Sequence, residues 1–211
     1  MLLTGALLTG VLVSGCGRVA PVPTRQDPLR GSAGVVVTGH GWTGHTILGP
    51  VPPPGTCHYR HSGPEVLPDP VCTPGAVDSA VSQANLRTTV CRKGGYTASV
   101  RPPESATNAI KRRLLAAYGV PVADASKYEL DHLIELSSGG SSDVRNLWPE
   151  PNQLYTTTGS SFVHNDKDKV EQYLYHAQCG GKIGLRAIQQ TISRDWTTAV
   201  ASLRLPPIPA G

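Results

Sequence analysis

The chain has 211 residues, of which only 16% are charged, and its formal net charge at pH 7 is +4. Its 23 glycines and 19 prolines are too many for a chain that is folded from end to end, and its 39% of hydrophobic residues are too many for a fully disordered one. The length therefore fits one ordinary domain with extensions. The modest positive charge permits a polyanionic partner without requiring one.

The N-terminal residues 1–13 carry no charge and are mostly Leu, Val, Ala, Thr and Gly. This stretch is far shorter than the roughly 20 apolar residues that span a bilayer, and it suits the apolar region of a signal peptide. Val13-Ser14-Gly15-Cys16 follows and resembles the bacterial lipobox, in which small residues precede a cysteine that becomes lipidated. We expect a signal peptide over 1–15, export, and a lipid anchor at Cys16 without a transmembrane helix. A simple secretory signal is the alternative.

From Gly17 to about Pro70 the sequence is dominated by Gly, Pro, Thr, Val and His, and it shows little helical or strand periodicity. Such a composition favours a flexible segment over a packed element. We therefore expect a Pro/Gly-rich tether over 16–70 that holds a folded domain, residues 71–205, away from the membrane.

Four cysteines remain after Cys16, namely Cys57, Cys72, Cys91 and Cys179. An even number in an exported chain favours two disulfides, for which three connectivities are possible. Among these we favour Cys57–Cys72, a local link, with Cys91–Cys179, which would join the start of the domain to a late helix. A zinc site at Cys57, His58 and His61 is a weaker alternative, because adjacent Cys and His side chains rarely reach one ion.

Periodicity and turn residues predict a mixture of helices and strands within the domain. In chain order they indicate a short helix over 76–85, a strand-like segment at 88–90, a turn at 94–95, a helix over 104–118, an extended segment over 128–136, a turn at 137–140, a return strand at 146–148, and helices over 161–178 and 185–196. Glycines after residues 118 and 179 end the two longest helices. The expected fold class is α+β.

The middle of the domain carries a recognisable order of motifs. Tyr128-Glu129-Leu130-Asp131-His132 is followed by Gly139-Gly140 and then by Asn146-Leu147. Together with Thr73-Pro74-Gly75, Val90-Cys91-Arg92, Asn146-Leu147-Trp148-Pro149-Glu150-Pro151, Lys167-Asp168…Glu171 and Asp195-Trp196, these motifs resemble exported bacterial HNH-like proteins over about residues 73–196. The resemblance implies a small ββα-metal core with additional helices. It also implies hydrolysis of phosphodiester bonds.

The resemblance further implies roles for five residues. His132 would be the general base, because a neutral imidazole accepts a proton near neutral pH, and Asn146 would hold its orientation. Asp131 would bind a divalent ion (Mg, Mn or Zn) that stabilises charge on the phosphate. The following helix would supply a further ligand, either His164 or Asp168, which lies one turn along the same face. All of these groups would then converge between the hairpin and the following helix. Glu135, by contrast, stands where many HNH proteins have proline.

A basic cluster lies between residues 87 and 113, where seven Lys or Arg side chains accompany one acid, Glu104. The residues that we expect to bind a nucleic-acid backbone without sequence specificity are Arg92, Lys93, Arg101, Arg112 and Arg113. A solvated helix face, or attraction to anionic lipid headgroups beside the anchor, is the alternative.

The function that we favour from the sequence is a monomeric, exported, metal-dependent nuclease without sequence specificity. The main alternative is a catalytically inactive HNH scaffold on a lipoprotein that binds an envelope component or a protein partner, since a scaffold does not dictate its activity. A disulfide-linked binding protein unrelated to HNH nucleases would instead place Asp131, His132 and Asn146 far apart.

Overall fold

The computed structural model describes residues 36–39, 41–42, 44, 47, 49–153 and 165–209. The signal peptide predicted over 1–15, the lipid anchor predicted at Cys16 and the metal ligand predicted at His164 lie outside these ranges. Helices and strands occur together, as expected for an α+β fold. No helix within the described ranges is both long enough and apolar enough to cross a membrane.

The strands of the described ranges pair into three two-stranded sheets. They are β1 (Val37–Gly39), β2 (Arg60–Ser62), β3 (Glu65–Leu67), β4 (Ala76–Asp78), β5 (Tyr128–His132) and β6 (Leu147–Pro151). β1 pairs with β4 in parallel, whereas β2 with β3 and β5 with β6 are antiparallel. The β5–β6 hairpin corresponds to the predicted extended segment and return strand, but β5 ends at His132, earlier than predicted, and β6 extends beyond the predicted return strand to Pro151.

The helices of the same ranges are α1 (Thr97–Val100), α2 (Glu104–Ala117), α3 (Asp166–Cys179), α4 (Leu185–Arg194) and α5 (Ala199–Ser202). 3-10 turns lie between the helices and strands at Gln83–Thr88, Val122–Lys127, Leu136–Ser138, Val144–Asn146 and Trp196–Thr198. α2 ends one residue before the predicted end, and α3 ends at the predicted glycines. Gly181 has a φ of 73°, which a glycine adopts without strain.

The hairpin is covered on both of its faces. Trp148 of β6 packs with Leu174 of α3 and Ile188 of α4, and all three side chains are fully buried. On the other face, Leu147 packs with Leu114 of α2 in a separate cluster. The hairpin therefore lies between α2 on one side and the α3–α4 pair on the other.

Part of the segment predicted to be a tether belongs to this fold. β1 pairs with β4, Cys57 is buried in the core, and the Tyr59 hydroxyl donates a hydrogen bond of 2.7 Å to the Pro149 carbonyl. The tether predicted over 16–70 is thus too long, since packed structure begins upstream of residue 71. A disulfide and long-range hydrogen bonds fix this segment, and neither leaves a periodic pattern in the sequence.

Two disulfides join Cys57 to Cys72 and Cys91 to Cys179, which is the connectivity that we favour among the three. The zinc site considered at Cys57, His58 and His61 is wrong, because the Cys57 sulfur is bonded to Cys72. Disulfides persist in oxidising compartments, and their presence indicates an exported protein.

Two local predictions are wrong. The helix predicted over 76–85 is the strand β4 followed by a 3-10 turn at Gln83–Thr88, and residues 88–90 form no strand. The partner of β4 is β1, some 40 residues earlier in the chain, so the pairing that creates the strand is invisible to a local pattern. Val90 is buried because it packs with Leu86 and Leu185, and not because it lies in a sheet.

Candidate functional site

Asp131 and His132 are neighbours at the end of β5. Their side chains point to opposite faces of the hairpin. Successive side chains alternate along a strand, and the register places Asp131 beside Trp148 and His132 beside Leu147. Asp131 accordingly contacts α3 through Lys167, whereas His132 lies on the side of α2. The predicted convergence of both residues on one helix is therefore not observed in the described ranges.

His132 is one of the residues that line a cavity of about 220 Å³. The other lining residues are Arg101, Pro102, Glu104, Thr107, Leu130 and Leu147. Nε2 of His132 lies 3.0 Å from Oγ of Ser142. When Nε2 carries the proton and donates it to this hydroxyl, Nδ1 keeps the lone pair that a base requires.

Burial lowers the pKa of His132 to about 4, because desolvation disfavours the charged imidazolium. Asp131 raises this pKa, and Arg101 and Lys167 lower it. The side chain is only 8% exposed. His132 is consequently neutral from about pH 5 upwards, and its lowered pKa makes it a weaker base than an exposed histidine.

The Asn146 side chain is fully buried and bonds only to backbone groups within the described ranges. Its Nδ2 donates to the carbonyl oxygens of Ile134 and Ser141, both at 2.9 Å. Its Oδ1 accepts from the amides of Ile134 at 3.0 Å and Ala76 at 3.3 Å. Asn146 therefore does not touch the imidazole, contrary to its expected role. It braces the connection between β5 and β6, which carries Ser142, so its influence on His132 is indirect.

Lys167 enters the space that the sequence analysis assigns to a metal ion. Its side chain is 1% exposed, and its Nζ lies 2.7 Å from Oδ2 of Asp131. The same ammonium is ion-paired with Glu171 and donates a hydrogen bond of 2.9 Å to the His132 carbonyl. Burial opposes this charge, but Asp131, Glu171 and Glu150 together raise the pKa of Lys167 well above its usual range. The lysine is therefore a buried, charged group with partners on both β5 and α3.

Further carboxylates surround this ammonium. Glu129 and Glu150 face each other across the hairpin, on the same face as Asp131. Burial, followed by repulsion from Asp131 and Asp168, raises the pKa of Glu129 to about 7. The pKa values of Glu150 and Glu171 are raised well above normal, again mainly by burial. The surroundings of the Lys167 ammonium thus contain more carboxyl groups than cationic groups.

Of the expected metal ligands, Asp131 and Asp168 already have other partners in the structure, and His164 lies outside the described residues. Oδ2 of Asp131 contacts the Lys167 ammonium at 2.7 Å and also accepts a hydrogen bond from Trp148 Nε1 at 2.9 Å. The Asp168 carboxylate instead accepts a hydrogen bond of 2.9 Å from the backbone N–H of Asn165 at the start of α3. No trio of His, Cys, Asp or Glu side chains in the described part of the chain is arranged to hold a metal.

The five basic residues predicted to bind nucleic acid are all exposed. Arg101 lines the cavity beside His132. Arg92 instead lies over the Tyr96 ring, 5.5 Å from its centroid, and hydrogen-bonds the Gly95 carbonyl and the Ser99 hydroxyl. Only Arg101 among the five therefore lines the cavity.

Two residues of this site are absent from the roles assigned by sequence reasoning. Ser142 has no motif of its own, and its contact with His132 depends on how the connection between the strands folds. Lys167 could have been paired with Glu171 from their spacing of four on a helix, which places the two on one face.

No protein-family model, curated protein or solved structure matches the chain.

The raised pKa of Glu129, about 7, predicts a pH-dependent stability. The folded state keeps this proton up to about pH 7, whereas the unfolded chain releases it near pH 4.5, so stability falls as the pH rises through this window. Glu129→Gln cannot ionise and escapes the loss, which we put at about 1–2 kcal/mol after discounting for partial exposure. Thermal unfolding at pH 5 and pH 8 should show that the unfolding temperature of the variant, relative to that of the wild type, is higher at pH 8 than at pH 5. A difference that is the same at both pH values would contradict this account.

Proposed function

We propose that the protein is an exported HNH-like hydrolase that cleaves phosphodiester bonds of nucleic acid without sequence specificity, tethered by a lipid at Cys16. The observation that supports this most is that His132, whose imidazole is neutral at pH 7, and the basic residue Arg101 line the same cavity. The order of motifs around His132, which resembles HNH proteins, supports the same class of reaction.

His132 and Arg101 supply two of the functions that phosphodiester hydrolysis needs. Nδ1 of His132 takes a proton from the attacking water while Nε2 remains hydrogen-bonded to the Ser142 hydroxyl. Arg101 stabilises negative charge on the phosphate through guanidinium N–H donors. The cavity of about 220 Å³ is smaller than the roughly 300–1,000 Å³ of pockets for drug-sized ligands. It therefore suits one phosphate group of a polymer whose remainder lies outside.

No step of this proposal passes through a divalent cation. Such an ion would supply Lewis-acid stabilisation of the phosphate, but the carboxylate expected to bind it is paired with Lys167. Stabilisation of the phosphate therefore depends on Arg101, with the buried Lys167 fixing the backbone carbonyl of His132.

The alternative is a non-catalytic HNH scaffold that binds an envelope component or a protein partner. The limited exposure of His132 and the separation of Asp131 from it favour this alternative. The two functions differ in one observable. A scaffold leaves nucleic acid intact, whereas the hydrolase converts it to products with a phosphate at the cleaved end.

The decisive assay incubates the purified protein with supercoiled plasmid and with a labelled RNA at pH 7, in EDTA and in Mg²⁺ or Mn²⁺. We expect nicked plasmid or shortened RNA in proportion to time and enzyme. Intact substrates under every condition would reject the hydrolase and leave the scaffold.

Arg101 and Glu104 line the cavity with opposite charges, and we expect their substitution to have opposite effects on the reaction. Arg101→Ala removes a phosphate-binding charge, and we expect kcat/KM to fall about 10-fold, as for loss of one charged hydrogen bond of roughly 1.5 kcal/mol. Glu104→Gln removes a carboxylate that repels the phosphate, and we expect a rise of about 2-fold at low salt, shrinking as ionic strength screens the charge. Steady-state rates on labelled single-stranded DNA at two salt concentrations measure both.

Arg113→Ala is the matched control, because this arginine is exposed on α2 but does not line the cavity. An Arg113→Ala variant as impaired as Arg101→Ala would show that general charge, and not the cavity, binds the substrate.

A further inference from the structure

We infer that the Lys167 ammonium is the resident cation of the junction between the β5–β6 hairpin and α3, and that it replaces a divalent metal ion there. The inference does not depend on the proposed hydrolysis, because it concerns which cation the junction binds. It predicts that the fold is indifferent to divalent ions, and that removing the lysine creates a site for them.

Three oxygen atoms converge on Nζ of Lys167. They come from the Asp131 carboxylate at 2.7 Å, the Glu171 carboxylate and the His132 backbone carbonyl at 2.9 Å. Carboxylate and carbonyl oxygens are also the ligands that Mg²⁺ and Ca²⁺ prefer. The junction therefore has the ligand chemistry of a hard cation site, and an ammonium occupies its centre.

The charge balance explains why this ammonium is retained. Glu150 and Glu129 lie near the same ammonium, and their electrostatic interaction with it favours its charged form and their own. Asp131 and Glu171 are the carboxyl groups in direct contact with this ammonium. Without a cation they would either face each other as poorly screened buried charges or take up protons. The ammonium therefore stabilises the charged form of these carboxyl groups.

A divalent ion cannot simply join the lysine. At the contact distances observed, it would meet the ammonium charge across a few ångströms of poorly screened protein. Nor can the ammonium move aside without loss, because the side chain is 1% exposed and an unpaired buried charge is strongly unfavourable. Metal binding and a buried Lys167 are therefore mutually exclusive.

Lys167→Ala tests this directly, since it removes the charge and leaves the space of the side chain beside the three oxygens. In EDTA we expect the unfolding temperature to fall by about 10 °C, as for the loss of one partner of a buried ion pair. Addition of Ca²⁺, Mg²⁺ or Mn²⁺ should restore part of the loss with saturation at one ion per chain. The wild type should shift by less than about 1 °C with the same ions.

Lys169→Ala is the matched control, because Lys169 lies on the same helix, is exposed and pairs with Asp166 at 2.7 Å. It should neither lower the unfolding temperature appreciably nor acquire ion dependence.

Calorimetric titration of the wild type with each ion decides the inference even if Lys167→Ala does not fold. Saturable binding of one ion to the wild type that is lost in Asp131→Asn would overturn it, because the ion would then displace the ammonium. A folded Lys167→Ala that binds none of the three ions would overturn it as well.

Discussion

His132→Ala is expected to abolish hydrolysis of nucleic acid while the domain stays folded. A general base contributes about 10²–10⁴-fold to such a rate, and His132 is the histidine on the cavity wall. The imidazole makes one side-chain hydrogen bond, to Ser142, among the described residues. Because His132 is buried, its truncation is also expected to cost some stability, so the rate is compared only for folded protein.

His61→Ala serves as the control, because His61 is an exposed histidine on β2, away from the cavity. It should keep the wild-type rate. Circular dichroism and the unfolding temperature establish whether His132→Ala is folded. A folded His132→Ala with the wild-type rate would remove His132 from the mechanism.

Asn146→Ala is expected to have the largest effect on stability. Its side chain satisfies four backbone groups inside the core, two of them on Ile134 and the others on Ser141 and Ala76. Each buried group left without a partner costs about 1–3 kcal/mol. We therefore expect a loss of about 4 kcal/mol or more, which is a large part of the roughly 5–15 kcal/mol that stabilises a domain. Urea unfolding monitored by tryptophan fluorescence measures the change.

Asn108→Ala is the matched control, because Asn108 is exposed on α2 and its side chain makes one long hydrogen bond, 3.4 Å to Glu104, among the described residues. Its expected change is within about 0.5 kcal/mol. If Asn146→Ala proved as stable as the wild type yet inactive, Asn146 would act in the reaction itself and not as a brace.

The elements built from local patterns were predictable from the sequence. The apolar spacing and the terminal glycines indicate α2 and α3, and the turn at Gly139 lies between the two strands of the hairpin. β4 was not predictable, because its partner β1 lies far away in a segment with no periodicity. Long-range pairing and disulfides determine that part of the fold.

The site was predictable in its residues more than in its arrangement. Asp131 and His132 were identified as a pair, but side chains alternate on a strand, and this alone sends them to opposite faces of the hairpin. The ion pair between Asp131 and Lys167 was not predicted, because it depends on the long lysine side chain that reaches across from α3 to the strand. A sequence pattern records which groups are present, whereas their ionic partners depend on tertiary packing.

The rate of plasmid cleavage by the wild type and by His132→Ala, measured side by side from pH 5 to pH 8, tests the central claim most directly. With a His132 pKa of about 4, we predict that the wild-type rate shows no drop near pH 6.5, where an exposed histidine would titrate, and that the variant shows no cleavage. Cleavage by the variant, or intact plasmid with the wild type throughout this range, would contradict the account.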